Sequence, residues 1–160
     1  MKRKLTYLIP IFFIVFCYCK YSTEQDETAS NVSYTSYDGY SYKGEKSLSD
    51  TTFFYYTTTK EDFDSLFFFI YDHNPAPRIP EKEFLANRVI SIVKYGNDYY
   101  ELEVENMNIL NGTLHIKYKA ILEAENMSWT AAIPIIVTVD TVFEQICFYE
   151  NNEKIYEIII

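Results

Sequence analysis

The sequence predicts a mainly β domain, a β-sandwich-like or curved antiparallel sheet with one short N-terminal helix. Three observations lead there. Residues 101–105 and 114–120 alternate apolar and polar side chains with the period of two that marks a strand with one wet face. Between them stands Asn111-Gly112, a dipeptide that suits the left-handed conformations of a two-residue hairpin turn. The chain also holds 16 Tyr and 12 Phe, residues that favour strands and bury large areas without help from disulfides.

In chain order, the first element is an export signal over residues 1–19. Lys2, Arg3 and Lys4 lead into an apolar block from Leu5 to Tyr18, interrupted by Cys17 and followed by Cys19. The block is shorter than the roughly 17 to 25 apolar residues of a bilayer-spanning helix. Cys19, where the apolar run stops, is the expected lipid acceptor of a bacterial lipoprotein. Tyr18 stands where such processing favours a small residue, so Cys17, simple cleavage and a retained N-terminal anchor are the alternatives. Each puts the domain outside the cytoplasm, membrane-anchored in three of the four cases, at the outer membrane or periplasmic face of the cell envelope.

Residues 20–50 are rich in Ser, Thr, Tyr, Asp and Glu and nearly free of aliphatic side chains. Such a stretch buries too little apolar surface to offset the entropy of ordering it, and a flexible tether is expected. Tyr34, Tyr37, Tyr40 and Tyr42 carry the other reading, an added edge strand. A single β-rich domain then spans residues 51–160, of a size that supports one core.

Within it a short strand is expected over residues 53–57, then a helix over residues 58–70. Thr58 with Glu61 has capping-box spacing, and Phe63, Leu66, Phe67 and Ile70 form one apolar face. The prolines of residues 73–80 end it, and Phe84 leads into a β-branched strand over residues 88–94. Gly96-Asn97-Asp98 reads as a turn. In the hairpin that follows, a strict Asn111-Gly112 turn would set Val104 against Lys119. One extra residue near Asn106 restores Val104 opposite Tyr118 and brings Glu103 to Lys119 and Glu105 to Lys117. Pro134 makes residues 129–139 an edge strand or two short strands joined at a bend. A last hairpin joins residues 145–149 to 154–160, the final strand expected to have both faces covered because Ile158, Ile159 and Ile160 are consecutive.

The net charge of −9 includes the three cations of the signal, so the exported part is more acidic still. It lacks the basic footprint that nucleic acid requires. No catalytic or cofactor motif is visible. His73 and His115 lie in different contexts and suggest no metal set. Glu101, Glu103 and Glu105 read as a solvated strand face opposite lysines. Cys147, in an apolar run, reads as a buried structural thiol. Asn31, Asn111 and Asn126 match glycosylation sequons that a bacterial-type signal makes incidental. Trp129, the single tryptophan, follows a polar loop and is the candidate protein contact, although a Trp in such a place more often caps the core.

The order of these features resembles the C-terminal domain of the PrcB family, exported lipoproteins associated with a spirochaete surface protease complex. The likeness runs from the capped helix and proline loop through Phe84 and Val89-Ile90-Ser91-Ile92-Val93. It continues through the Gly96 turn to Ile133-Pro134-Ile135-Ile136-Val137-Thr138-Val139. It departs at the turn, where the family has paired glycines before a tyrosine and this chain has Gly96-Asn97-Asp98-Tyr99. The resemblance implies a non-enzymatic accessory module with an envelope protein, such as a protease, as partner. Together these readings point to a membrane-tethered binding or accessory module without metal or cofactor. An exported protease inhibitor or a small hydrolase with an unrecognised site is the alternative.

Overall fold

The computed structural model describes residues 29–44, 51–70, 77–86 and 88–160. The export signal, with Cys17 and Cys19, and His73 lie outside the described residues. Thirteen elements follow in order: β1 (Ser30–Asn31), β2 (Tyr34–Ser36), β3 (Tyr40–Tyr42), β4 (Thr51–Thr57), α1 (Lys60–Leu66), β5 (Phe67–Phe69), α2 (Glu81–Ala86), β6 (Arg88–Gly96), β7 (Tyr99–Leu110), β8 (Thr113–Ala124), β9 (Ala131–Val139), β10 (Gln145–Glu150) and β11 (Glu153–Ile159). They make a five-stranded sheet of order β1-β7-β8-β10-β11, a four-stranded sheet of order β2-β9-β6-β4, and a β3-β5 ribbon. The fold is mainly β and sandwich-like, as the alternation predicts.

The central hairpin β7–β8 shows how register follows from burial. Val104 pairs with Tyr118 and Glu103 with Lys119, and the register shifts between Val104 and Asn106. The inserted residue is Glu105. Asn106, not Glu105, therefore faces Lys117, and the Glu105 carboxylate reaches Lys119 at 2.8 Å instead. Because the insertion flips the parity of the strand, Leu102 and Val104 before it and Met107 and Ile109 after it all pack on the same core. The turn behaves as expected, with Asn111 at φ 52 and Gly112 at φ 73. The β10–β11 turn uses the same geometry with two asparagines, Asn151 at φ 50 and Asn152 at φ 71.

One core lies between the two sheets, where Ile90, Ile92, Leu114, Ile116, Val137, Val139, Ile146 and Phe148 are buried. A second lies on the opposite face of the four-stranded sheet, beneath β3, α1, β5 and α2. That sheet is thus covered on both sides, which is why β6 reads as a continuous apolar run. Ser91, buried inside β6, is the one described side chain whose buried hydroxyl finds no partner.

Other expectations are corrected as well. The tether expected over residues 20–50 does not hold for residues 29–44, which join all three layers: β1 pairs with β7, β2 with β9 and β3 with β5. Tyr37 and Tyr42 supply the buried area that aliphatic residues would otherwise provide. The first helix is capped by Thr59, whose Oγ1 accepts the Asp62 N–H at 3.1 Å, and not by Thr58. It stops at Leu66 because the next three residues pair with β3, and a second helix, α2, buries Phe84 where a direct run into β6 was expected. Pro134 sits inside one uninterrupted strand, β9. The Ile136 carbonyl accepts from Tyr37 N–H on the β2 side, so Pro134, two residues away, turns its nitrogen to that same side, beyond the end of β2, where no ladder donor is needed. Finally, β11 pairs within the sheet but is its edge, and its two faces are not both covered. Tyr156 stacks on Phe54 at 4.9 Å on the inner face, while Ile159 on the other is 79% exposed.

Candidate binding surface

Two loops meet at one end of the sandwich. The β6–β7 turn, Asn97-Asp98, and the β8–β9 loop, residues 125–130, are tied by three hydrogen bonds. Met127 N–H donates to the Asn97 carbonyl at 2.8 Å and Asn126 N–H to Asp98 Oδ1 at 2.8 Å, while the Thr130 hydroxyl donates to Asn97 Oδ1 at 3.3 Å. Asn126 takes the left-handed conformation, φ 51, that turns the loop. These bonds hold the following residue pair outward, and Trp129 is 55% exposed. The core-capping role is therefore not the one the structure shows. Tyr42 and Tyr95, edge to face at 6.4 Å, line the same groove as Trp129.

Beside Trp129 lies Tyr99, 42% exposed, with ring centroids 6.4 Å apart. The two rings line a groove of about 530 Å³ together with Tyr42, Tyr95 and Ala131 to Ile133. No charged side chain lines it, although the chain as a whole is strongly acidic. Its chemistry is ring faces and hydroxyls, which suits contact with apolar or neutral polar groups. Tyr42 is fixed from below by a 2.5 Å hydrogen bond between its hydroxyl and that of Tyr55. Of the groove's residues the sequence marks only Trp129. Tyr99 has a sequence signal, since it follows the Gly96-Asn97-Asp98 turn, but Tyr42 and Tyr95 are brought there by tertiary pairing alone.

The other candidate residues stay apart from this groove. Cys147 is buried and lies opposite His115 in the parallel β8–β10 register. His115 Nδ1 sits 3.1 Å from the Tyr149 hydroxyl. Burial, and then Lys154 and Lys117, hold the imidazole below its ordinary pKa, so it stays neutral near pH 7. Of the three glutamates of β7, Glu105 pairs with Lys119. Among the described residues no group of three or more His, Cys, Asp or Glu side chains could hold a metal ion, and no helix is long and apolar enough to cross a membrane. A polar seam inside the sandwich completes the inventory. Glu150 takes Lys94 Nζ at 2.7 Å and the Tyr118 hydroxyl at 2.8 Å, joining β6 of one sheet to β8 and β10 of the other. Burial, reinforced by the bond to Glu150, raises the Tyr118 pKa far above its usual value, so this phenol keeps its proton and donates it to the carboxylate.

Compared with known protein families, curated proteins and solved structures, the chain matches none.

Proposed function

We propose that this protein is a non-enzymatic binding or accessory module of the bacterial cell envelope, held there through its N-terminal segment, that engages a protein partner with the groove around Trp129. The observation that carries the reading is the exposure of Trp129 and Tyr99 side by side on an uncharged groove. Trp and Tyr dominate the energetic centres of protein contacts, because large rigid rings desolvate well at small entropic cost. The likeness to the PrcB C-terminal domain supports an envelope protease as that partner, and the basic-then-apolar start ending at Cys19 supports the anchor.

Recovery of partners from the native envelope tests the groove. The wild-type protein should retain one stoichiometric partner that Trp129→Ala loses, with the melting temperature unchanged. Equal recovery by both would place the contact elsewhere. Trp129 is also the only tryptophan, so its fluorescence reports groove occupancy directly. Separately, Cys19→Ser should release the protein into the soluble fraction; unchanged retention would shift the anchor to Cys17 or to an uncleaved signal.

A further inference from the structure

A second concavity, distant in chemistry from the groove, opens in the layer of short elements. It encloses about 360 Å³ between α1, β5 and the Arg78-Ile79 segment, at the lower end of the size range of small-molecule sites. Its floor is aromatic. Phe63 stacks on Phe67 at 4.9 Å, Phe84 lies 5.6 Å from Phe63, and Tyr40 meets both Phe63 and Phe69 edge to face at 5.2 Å.

The rim is cationic in a chain of net charge −9. Lys43, Lys60 and Arg78 line it with a single acid, Asp64. Lys60 is engaged with Asp64. Lys43 and Arg78 have no ion-pair partner among the described residues, and the Arg78 guanidinium lies 4.8 Å over the Phe69 ring. A cation held against a ring face keeps its outward N–H groups available. The Tyr40 hydroxyl accepts the Ile79 N–H at 2.9 Å, which leaves its own proton to donate. Burial raises the Tyr40 pKa, so that proton is retained at neutral pH.

We propose that this cleft binds a small amphiphilic anion, its apolar or aromatic body on the phenylalanine floor and its carboxylate or phosphate head on Arg78, Lys43 and the Tyr40 hydroxyl. The two components need each other. Exposed lysines alone bind anions weakly, and an open apolar floor alone does not select charge, whereas a charge-assisted bond beside a desolvating surface does both.

The test is equilibrium dialysis of the full chain in nanodiscs of zwitterionic lipid, with empty nanodiscs as blank. The ligands are 4-phenylbutyrate, phenyl phosphate, the neutral 4-phenylbutanol and inorganic phosphate. At least one of the two aromatic anions should bind about tenfold or more tighter than the alcohol, on the order of one charge-assisted hydrogen bond, and the tighter of the two identifies the head group. Lys43→Gln/Arg78→Gln should abolish that advantage at unchanged melting temperature, and Phe68→Ala, which leaves the Arg78–Phe69 contact in place, should weaken anion and alcohol alike. Four results would overturn the proposal: no binding by either anion, equal binding of anion and alcohol, an advantage that survives the double variant, or inorganic phosphate binding as tightly as phenyl phosphate. Trp129 fluorescence should not respond to these ligands, which separates failure here from failure at the groove.

Discussion

The four-stranded sheet has a different kind of core on each face. Toward the five-stranded sheet it buries mainly aliphatic side chains, Ile90, Ile92, Val137 and Val139 against Leu114, Ile116 and Ile146. Toward the layer of short elements it buries rings: Tyr37, Tyr42, Phe63, Phe67 and Phe84, with Tyr40, Phe53, Tyr55 and Tyr95 packed at the margin. The difference follows from what covers each face. Long paired strands present dense rows of branched side chains at regular spacing, so aliphatic residues largely fill the gap between sheets. Strands of three residues and helices of six or seven present few side chains each, and every one must cover more area. Nine of the described tyrosines and phenylalanines lie in or beside that second core, against five in or beside the first.

Substitutions on the two sides of the sheet should separate the two cores. The largest effect is expected in the aliphatic core, where Phe148→Ala removes a fully buried ring between the sheets and should lower global stability by about 4 kcal/mol in urea titration. Phe63→Ala, equally buried, should cost about 3 kcal/mol, but as a local event. Amide exchange should accelerate in α1 and β5 while β8 and β10 stay protected. Equal loss of protection in β8 would show that the two cores unfold as one.

The sandwich side also has an ionic seam that the aromatic side lacks. Glu150→Gln leaves Lys94 half-buried without its counter-ion and should cost about 2 kcal/mol, with Lys94→Met recovering most of the loss in a double-mutant cycle; no recovery would mean that the Tyr118 bond carries the seam. On the aromatic side, Thr59→Ala removes the cap of α1 and should cost about 1 kcal/mol, again visible as faster exchange in α1 before any change in the sheets.

The smallest effect is a pH dependence of the five-stranded sheet's outer face. The His115 pKa is lowered in the fold, so the unfolded chain takes up the proton first as pH falls. Stability from this site is complete above about pH 6.5 and declines below it. The drop in melting temperature between about pH 7.5 and 5.5 should therefore be smaller in His115→Gln than in the wild type. An identical drop in both would assign the acid sensitivity to other groups.

Legibility in the sequence follows the same division. The β7–β8 hairpin and its inserted residue could be read because one face is wet and alternation then sets register, whereas the β10–β11 hairpin could be read from its polar turn, residues 150–153. The aromatic layer could not. Its strands are too short for a period, and Tyr42 sits among polar neighbours that resemble a solvated spacer until Phe67 and Phe53 are placed beside it. Pro134 misled because a proline is excluded from a ladder only where the outward edge is paired, and the length of β2 is invisible from β9. Of the candidate surface, Trp129 was legible from its rarity and its loop, while the cleft of Arg78 and Lys43 depends on residues far apart in sequence meeting at one ribbon.

The parallel seam between β8 and β10 has a consequence for how the domain is made. β9, between them in sequence, belongs to the other sheet, and parallel neighbours cannot be joined by a tight turn. In a chain emerging N-terminus first, the β7–β8 hairpin can close at once, but the far edge of β8 stays open until β9 has crossed over and β10 has returned. During that interval the row Leu114, Ile116 and Tyr118, fully buried in the finished domain, borders an unpaired strand, the arrangement most prone to wrong partners. The closing turn also seals the seam. Asn151 uses its side-chain amide as a surrogate peptide, with Oδ1 accepting from Ala120 N–H at 3.2 Å and Nδ2 donating to the Ala120 carbonyl at 3.3 Å. Vulnerability at this seam is accordingly a property of timing, greatest in the partly emerged chain and closed when that asparagine docks.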